Sequence, residues 1–442
     1  MRLSNDEPDA EMRRAKRRGA LQRLSACLGL ALICAGLFGC ATIPPPRAGW
    51  NLMAPGAPKA GDRSAFNVSV YDNVWNWVRG HYYDPGMNGA DWHAAGDRHR
   101  PAAAAAKDDT ELYAAINAML DELHDRHTHA TSAAEFARTF GHRGVVVGIR
   151  SEPVRAATDG RRRIVEVFPG GAAEEAGVRR GWILLSCDGR PPAEVLGPGK
   201  LQDGQVVHCE FLTAEGERRA LELRGKRMSY PTFRSARLVD GTILLVQFEE
   251  FDMPTAAWLR QTILDHPAAR GLILDLRGNG GGHLFALAAI LADVFPKPVS
   301  MGEMVHRGRS ARWYRSIPQT DGAHYSGPVA VLVSKYTASA AEIFSQILKE
   351  HGRATIIGER TAGATLTSVF WPLRGGGKLQ LSVYNYHSPE GRRLEGNGVL
   401  PDIEVPGTEP TSADAEDPAL QAALRVFTSE THEVPAAPEL HR

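Results

Sequence analysis

The stretch Val329-Ala330-Val331-Leu332-Val333-Ser334-Lys335-Tyr336-Thr337-Ala338-Ser339-Ala340-Ala341-Glu342-Ile343-Phe344 decides the fold. Five consecutive apolar residues, three of them β-branched, read as a strand buried on both faces. After a short turn, Ile343, Phe344, Ile347 and Leu348 fall on one face of a helix. The same alternation precedes it, with strand-like residues 242–248 before a helical 256–266 and 272–276 before 284–295. Strands alternating with helices over this length predict an α/β core with crossover connections. Ser339 then lies on a strand-to-helix turn, where helix N–H groups and the macrodipole favour developing negative charge. A plain N-cap serine fits the same position.

The preceding unit supplies a second turn, Asp275-Leu276-Arg277-Gly278-Asn279-Gly280-Gly281-Gly282-His283. It is not a phosphate loop. The Lys-Ser/Thr ending is missing, and His283 stands where the last glycine of a dinucleotide fingerprint would fall. Adjacent glycines let backbone N–H groups approach a ligand atom closely, as an oxyanion hole requires, although a structural turn is also served by them.

Upstream, residues 141–226 carry short β-type runs punctuated by glycine and predict a compact β-rich module. Residues 66–140 carry apolar residues at helical spacing and predict a helical unit, its second helix opened by Asp108-Asp109-Thr110-Glu111. A Pro-, Gly- and Ala-rich segment, 40–65, reads as a tether. Residues 408–442 are rich in Pro, Glu, Thr, Ser and Asp with one short amphipathic stretch, and read as a peripheral tail. At the other end, six basic residues within 13–23 precede the apolar residues 24–39 and a cysteine, Cys40. This is the layout of a signal peptide, too short for a spanning helix of ~20 residues, with an uncleaved anchor as the alternative.

Composition bounds the rest. The 442 residues carry 51 Lys plus Arg against 51 Asp plus Glu, so no global basic field exists to hold nucleic acid. Hydrophobic residues at 43% and charged residues at 23% exclude wholesale disorder and a polytopic membrane protein. Of five cysteines, two precede Cys40, leaving Cys187 and Cys209 either to bridge in an oxidising compartment or to stay as buried thiols.

Several of these segments resemble known families. The sequence Leu37-Phe38-Gly39-Cys40 resembles a bacterial lipobox, which implies cleavage before Cys40, lipidation of its sulfur and export; Ala41 is similar to the outer-membrane sorting pattern. The β-rich module resembles a PDZ domain, with Gly144, Val145, Val146, Val147, Gly148 and Ile149 as the segment that would present N–H groups to a peptide's terminal carboxylate and pair with its strand. A groove filled by its own chain or by a neighbouring domain is the other possibility. The PDZ-like module, Asp-Leu-Arg-Gly-Asn-Gly-Gly-Gly, Thr-Ala-Ser-Ala-Ala-Glu, Gly358-Glu359-Arg360-Thr361-Ala362-Gly363 and Gly398-Val399-Leu400-Pro401-Asp402-Ile403 together resemble the C-terminal-processing and tricorn-core serine peptidases.

That resemblance implies an α+β multidomain chain: the helical unit, the PDZ domain and, over 227–407, an α/β core of ClpP/crotonase type. It implies Ser339 as nucleophile, with Gly281 and Ala340 as oxyanion donors, and no cofactor or metal. The lysine that serves as base in bacterial C-terminal-processing enzymes falls twenty-five residues after the serine, where this chain has Ala364. Arg360 stays protonated and offers no lone pair. The tricorn branch uses a histidine and a glutamate; the segment Leu123-His124-Asp125-Arg126-His127-Thr128 resembles its base segment, which makes His127 the base and Glu395 the supporting carboxylate. Arg126 stands where that branch has a serine, so the link from Glu395 to His127 runs through water or another hydroxyl such as Thr128.

The resemblance thus implies a lipid-anchored serine endopeptidase of the bacterial envelope, facing the periplasm. It would act on peptides or protein C-terminal regions that the PDZ domain selects. A catalytically silent PDZ scaffold of the same fold is the competing reading. His283 is an alternative base, and His124, His127 and His129 would suit a metal if they shared a helix face.

Overall fold

The computed structural model describes residues 63–139, 143–154, 160–197, 200–229, 232–316, 323–407 and 417–430. The expected signal peptide and Cys40 lie outside these residues.

Two strands explain the core. β11 (Gly271–Asp275) and β14 (Val329–Val333) are buried at every position, as unbroken apolar runs require. They are central in a six-stranded sheet ordered β18-β15-β14-β11-β10-β9, with β9 (Arg234–Val239), β10 (Ile243–Phe248), β15 (Ala354–Gly358) and β18 (Ile403–Glu404). All neighbours pair in parallel except β9 with β10. Each parallel strand lies beside its predecessor, so the chain winds steadily across the sheet. On one face Leu272, Leu274, Val329, Val331 and Val333 pack against α7 (Met253–Asp265), α8 (Leu284–Ala292) and α9 (Ala340–Glu350).

The other face needs its own cover. Ile273, Ala330, Leu332 and Ile357 cluster with Ala419, Leu420, Ala423 and Phe427 of α10 (Pro418–Glu430). Residues 417–430 are therefore part of the core and not a peripheral tail. The docking is also ionic: the buried Arg277 guanidinium donates to both carboxylate oxygens of Asp275 and of Asp417. Two carboxylates satisfy the fork of an arginine that would be costly to bury alone.

A second, five-stranded sheet is absent from the sequence-based expectation. It runs β1-β17-β12-β13, with β16 also on β17, from β1 (His129–Thr131), β12 (Ser300–His306), β13 (Arg309–Arg315), β16 (Thr367–Pro372) and β17 (Lys378–His387). β1 belongs in sequence to the helical unit of α1 (Arg63–His81), α2 (Trp92–Ala105), α3 (Asp109–Asp121) and α4 (Ala133–Thr139). By pairing antiparallel with β17, with His129 opposite Gln380 and Thr131 opposite Lys378, it ties that unit to the core. The second edge of β1 is served by Asn117 of α3, whose side chain bonds both the N–H and the C=O of buried Ala130.

The intervening residues form an antiparallel sheet β3-β4-β5-β6-β7 and a ribbon β2-β8. Their members are β2 (Arg143–Val146), β3 (Ile149–Pro153), β4 (Arg162–Val167), β5 (Ile183–Cys187), β6 (Val206–Leu212), β7 (Arg218–Arg224) and β8 (Lys226–Ser229), with short helices α5 (Ala172–Glu175) and α6 (Pro192–Leu196). Ile164, Trp182, Leu184, Val207 and Phe211 fill the module's interior. Cys187 and Cys209 face each other across β5 and β6 and are joined as a disulfide.

Candidate active site

The turns that follow β11 and β14 lie side by side at the carboxyl ends of neighbouring parallel strands, where α/β sheets bind ligands. Three bonds lock them together. Ser334 Oγ donates to the Arg277 carbonyl at 2.6 Å, Thr337 Oγ1 to the Leu276 carbonyl at 2.8 Å, and the Ala338 N–H to the Asn279 carbonyl at 3.0 Å.

Ser339 ends the second turn with φ 54° and ψ −123°, a left-handed backbone that a non-glycine residue rarely adopts and that costs roughly 1–3 kcal/mol. An ordinary N-cap uses extended backbone and needs no such strain. The surroundings impose it. The Ser339 N–H donates to the Ala364 carbonyl at 2.9 Å and to Glu342 Oε2 at 3.0 Å. Gly281 presses on the serine so closely that a Cβ there would stand 2.6 Å from Ser339 Cβ.

Glu342 is fully buried on the first turn of α9. Its carboxylate also accepts from Thr361 Oγ1, the Gly363 N–H and the Ala364 N–H, so it pins the loop after β15 to the serine. Burial pushes its carboxyl above the usual range, against those donors. Ala364 therefore sits beside Ser339 by main-chain contact, with a methyl group where a lysine side chain would start.

Among the expected oxyanion donors, the Ala340 N–H lies at the start of α9 against Gly281. The Gly281 N–H donates to Asn279 Oδ1 at 2.8 Å, so that donor is engaged.

The arm carrying His127 arrives from the helical unit. α3 ends at Asp121 and His124 takes φ 50°, so His124, His127 and His129 share no helix face. The alternative of a metal held on one helical face by these three histidines is not met by that geometry. Asp125 Oδ1 accepts the His127 N–H at 2.8 Å and closes the turn. Thr128 Oγ1 donates to Asp125 Oδ2 at 2.6 Å and accepts from the Ser382 N–H of β17 at 3.0 Å. The Thr128 hydroxyl is thus committed to Asp125 and β17. Burial lowers His127 below the ordinary imidazole value, with Asp125 and Glu342 opposing and Arg126 reinforcing the shift.

Glu395 lies across the same loop, accepting the N–H groups of Thr365 and Leu366 at 2.6 and 3.0 Å. Burial raises its carboxyl, and the Asp125 charge adds to the rise. The other candidate bases are committed elsewhere or exposed: the Lys335 amine lies over Tyr336, the Lys378 amine over Phe136, and His283 and Arg360 face solvent.

In the β-rich module, Gly144, Val145 and Val146 pair in β2 with β8. The Val147 and Gly148 carbonyls accept from Ala173 and Phe168. Gly148 abuts Gly171, where a Cβ on Gly148 would meet Gly171 Cα at 2.6 Å. Ile149 opens β3, which is an edge of the sheet.

Comparison with known proteins agrees with this geometry. Residues 242–405 match the model of peptidase family S41, and residues 68–121 match that of the tricorn protease C1 domain. The chain is 28% identical over 405 residues to a chloroplastic C-terminal processing peptidase of Tetradesmus obliquus, covering 84% of this chain and 82% of that protein. It is 27% identical to the carboxy-terminal processing protease CtpB of Bacillus subtilis over 66% of this chain and 62% of that one. A putative tricorn protease homolog of Streptomyces coelicolor is 24% identical, with 81% of this chain covering 32% of that much longer protein. Among solved structures, the photosystem II D1 C-terminal processing protease shares the fold at TM-score 0.51, with 24% identity over 82% of this chain and 97% of that one. A putative S41 protease from Bacteroides fragilis does so at 0.53, with 17% identity over 81% and 97%.

A wound parallel sheet with a strained serine at a helix start, and these matches, define a serine-type peptidase. Residues 242–405 form a peptidase family S41 domain, and the relatives support the C-terminal-processing protease family. The relatives are bacterial and chloroplast processing proteases, and no helix among the described residues is long and apolar enough to cross a membrane.

Proposed function

We propose that the protein is an exported, lipid-anchored serine endopeptidase that cuts peptides or protein C-terminal regions with Ser339 as nucleophile and His127 as base. The observation that carries this reading is the strained Ser339 turn, held by Glu342 and Gly281, with alanine at position 364 beside it. Ser339 Oγ adds to the scissile carbonyl while its proton passes to His127 Nε2. The negative oxygen that forms is held by the Ala340 N–H, and by the Gly281 N–H once it turns from Asn279. The C–N bond then breaks as His127 returns the proton to the leaving amine. Water repeats the sequence on the acyl-enzyme. Glu395 contributes negative charge that favours the imidazolium.

The β-rich module acts in this reading as a PDZ domain. A substrate tail pairs along the edge of β3, and the backbone of Val147, Gly148 and Ile149 receives its terminal carboxylate. Cys40 carries the lipid, which places the enzyme in the bacterial envelope. An oxidising compartment accords with the Cys187–Cys209 bridge.

Purified protein treated with a fluorophosphonate probe tests the nucleophile. Labelling of Ser339 that is lost in Ser339→Ala supports the reading, whereas an unlabelled wild-type protein that still cleaves peptide overturns it.

A further inference from the structure

One carboxylate beside His127 is left without a role when Glu395 is taken as the supporting acid. The side chain of Asp125 is 0% exposed, and its Oδ1 lies 3.9 Å from His127 Nδ1. That nitrogen is buried and has no hydrogen-bond partner. An aspartate that merely closes a turn uses one oxygen and leaves the other to water. Here the second oxygen is also buried and held by Thr128 Oγ1, which the Ser382 N–H fixes from β17. Burial and, after it, the Asp125 charge push up the pKa of the Tyr82 hydroxyl, which accepts from Asn88 Nδ2. A buried carboxylate with a donor on each oxygen is fixed in direction. Glu395 spends Oε2 on two main-chain N–H groups and acts on Asp125 through charge.

We infer that Asp125 is the positioning residue of the base, its Oδ1 accepting a hydrogen bond from the His127 Nδ1–H so that Nε2 presents a lone pair to Ser339. This rests on the reading of His127 as the base of Ser339. It removes the need for the serine that Arg126 replaces, because the carboxylate reaches the imidazole from the position before. When His127 accepts the Ser339 proton, the imidazolium forms next to a fixed negative charge and no proton passes to Asp125. A modest turn of the ring closes 3.9 Å to a hydrogen bond, and unliganded peptidases commonly hold such contacts loosely. The charged groups acting on the ring are Asp125, Glu342 and Arg126; those acting around the carboxylates are Tyr82, Glu395 and Arg393.

The test compares wild type, Asp125→Asn, Asp125→Glu and His127→Ala in kcat and KM across pH, with peptide as substrate. Asparagine keeps the turn-closing oxygen and removes the charge. The expected result for Asp125→Asn is a fall in kcat of ~100-fold or more. KM should change little, the acid limb should move to lower pH, and Asp125→Glu should recover part of the loss. Unchanged kcat and pH limb in Asp125→Asn, with His127→Ala inactive, overturns the inference and leaves the base assignment standing. An active His127→Ala overturns the base assignment itself. If Asp125→Asn fails to fold, the imidazole tautomer of wild-type His127, read by 15N NMR on histidine-labelled protein, decides. A proton on Nδ1 supports the inference, and a proton on Nε2 overturns it.

Discussion

The two halves of the proposed site are held in opposite ways. The nucleophile half is assembled from turns of consecutive parallel strands, cross-bonded through Ser334, Thr337, Ala338 and Glu342, with strain stored at one residue. The base half is a short turn carried in by a three-residue strand, with a buried ring nitrogen still unpaired. One half is built to hold a serine in an unfavourable backbone state, while the other depends on a long-range sheet contact that can be loosened without touching the first.

Substitutions can separate the halves. Ser339→Ala should have the largest effect, a loss of peptide hydrolysis of ~10⁴-fold or more with the fold intact, measured by peptide cleavage beside circular dichroism. Gly281→Ala comes next. Its methyl would enter within 2.6 Å of Ser339 Cβ and 2.9 Å of the Ala338 carbonyl, at φ +109°. Displacing the serine by a fraction of an ångström to 1 Å predicts about a 100-fold fall in kcat. Wild-type activity in that variant would mean that the glycine contact does not set the serine.

Asn117→Ala attacks the base half alone. It strips both partners from the buried main chain of Ala130 and should cost ~1–3 kcal/mol locally. We expect kcat to fall about tenfold through misplacement of His127. The denaturation midpoint of the core should hold, and an equal loss of core stability would show that the halves are not separable.

The smallest effect is the sharpest in sign. Burial holds His127 below the ordinary imidazole value near 6.5, so the neutral base persists to lower pH than a free histidine allows. The acid limb of kcat/KM should therefore have its midpoint below 6.5, with activity rising through it as pH increases. A limb near the lysine range of ~10 would point to an amine as base.

Legibility in the sequence followed locality. The Gly281 and Ser339 turns were readable because strand, turn and helix are contiguous there. Cys187 and Cys209 were legible as a possible bridge, but only the register of β5 with β6 makes them partners. α10 reads as tail from its flanking composition, although β11 and β14 announce by their unbroken apolar runs that a second face needs cover. The helix ends at Asp121, ahead of His124, and the Asp-x-His spacing that follows is the available sign of a side-chain-closed turn. Asp125 does not stand out in its segment, because nothing in sequence distinguishes a buried carboxylate from a solvated one.

By itself the sequence determined the peptidase family, the wound α/β core and the absence of a lysine at the position where one branch carries its base. Those rest on residue identity and on periodicities of two and 3.6, which act over a few neighbours. Only the tertiary structure decided that β1 pairs with β17, that α10 is clamped through Arg277 and Asp417, and that Asp125 lies buried beside an unpaired His127 nitrogen. These are contacts between residues far apart in the chain or properties of burial. Their free energy exists only once the core has excluded water around them.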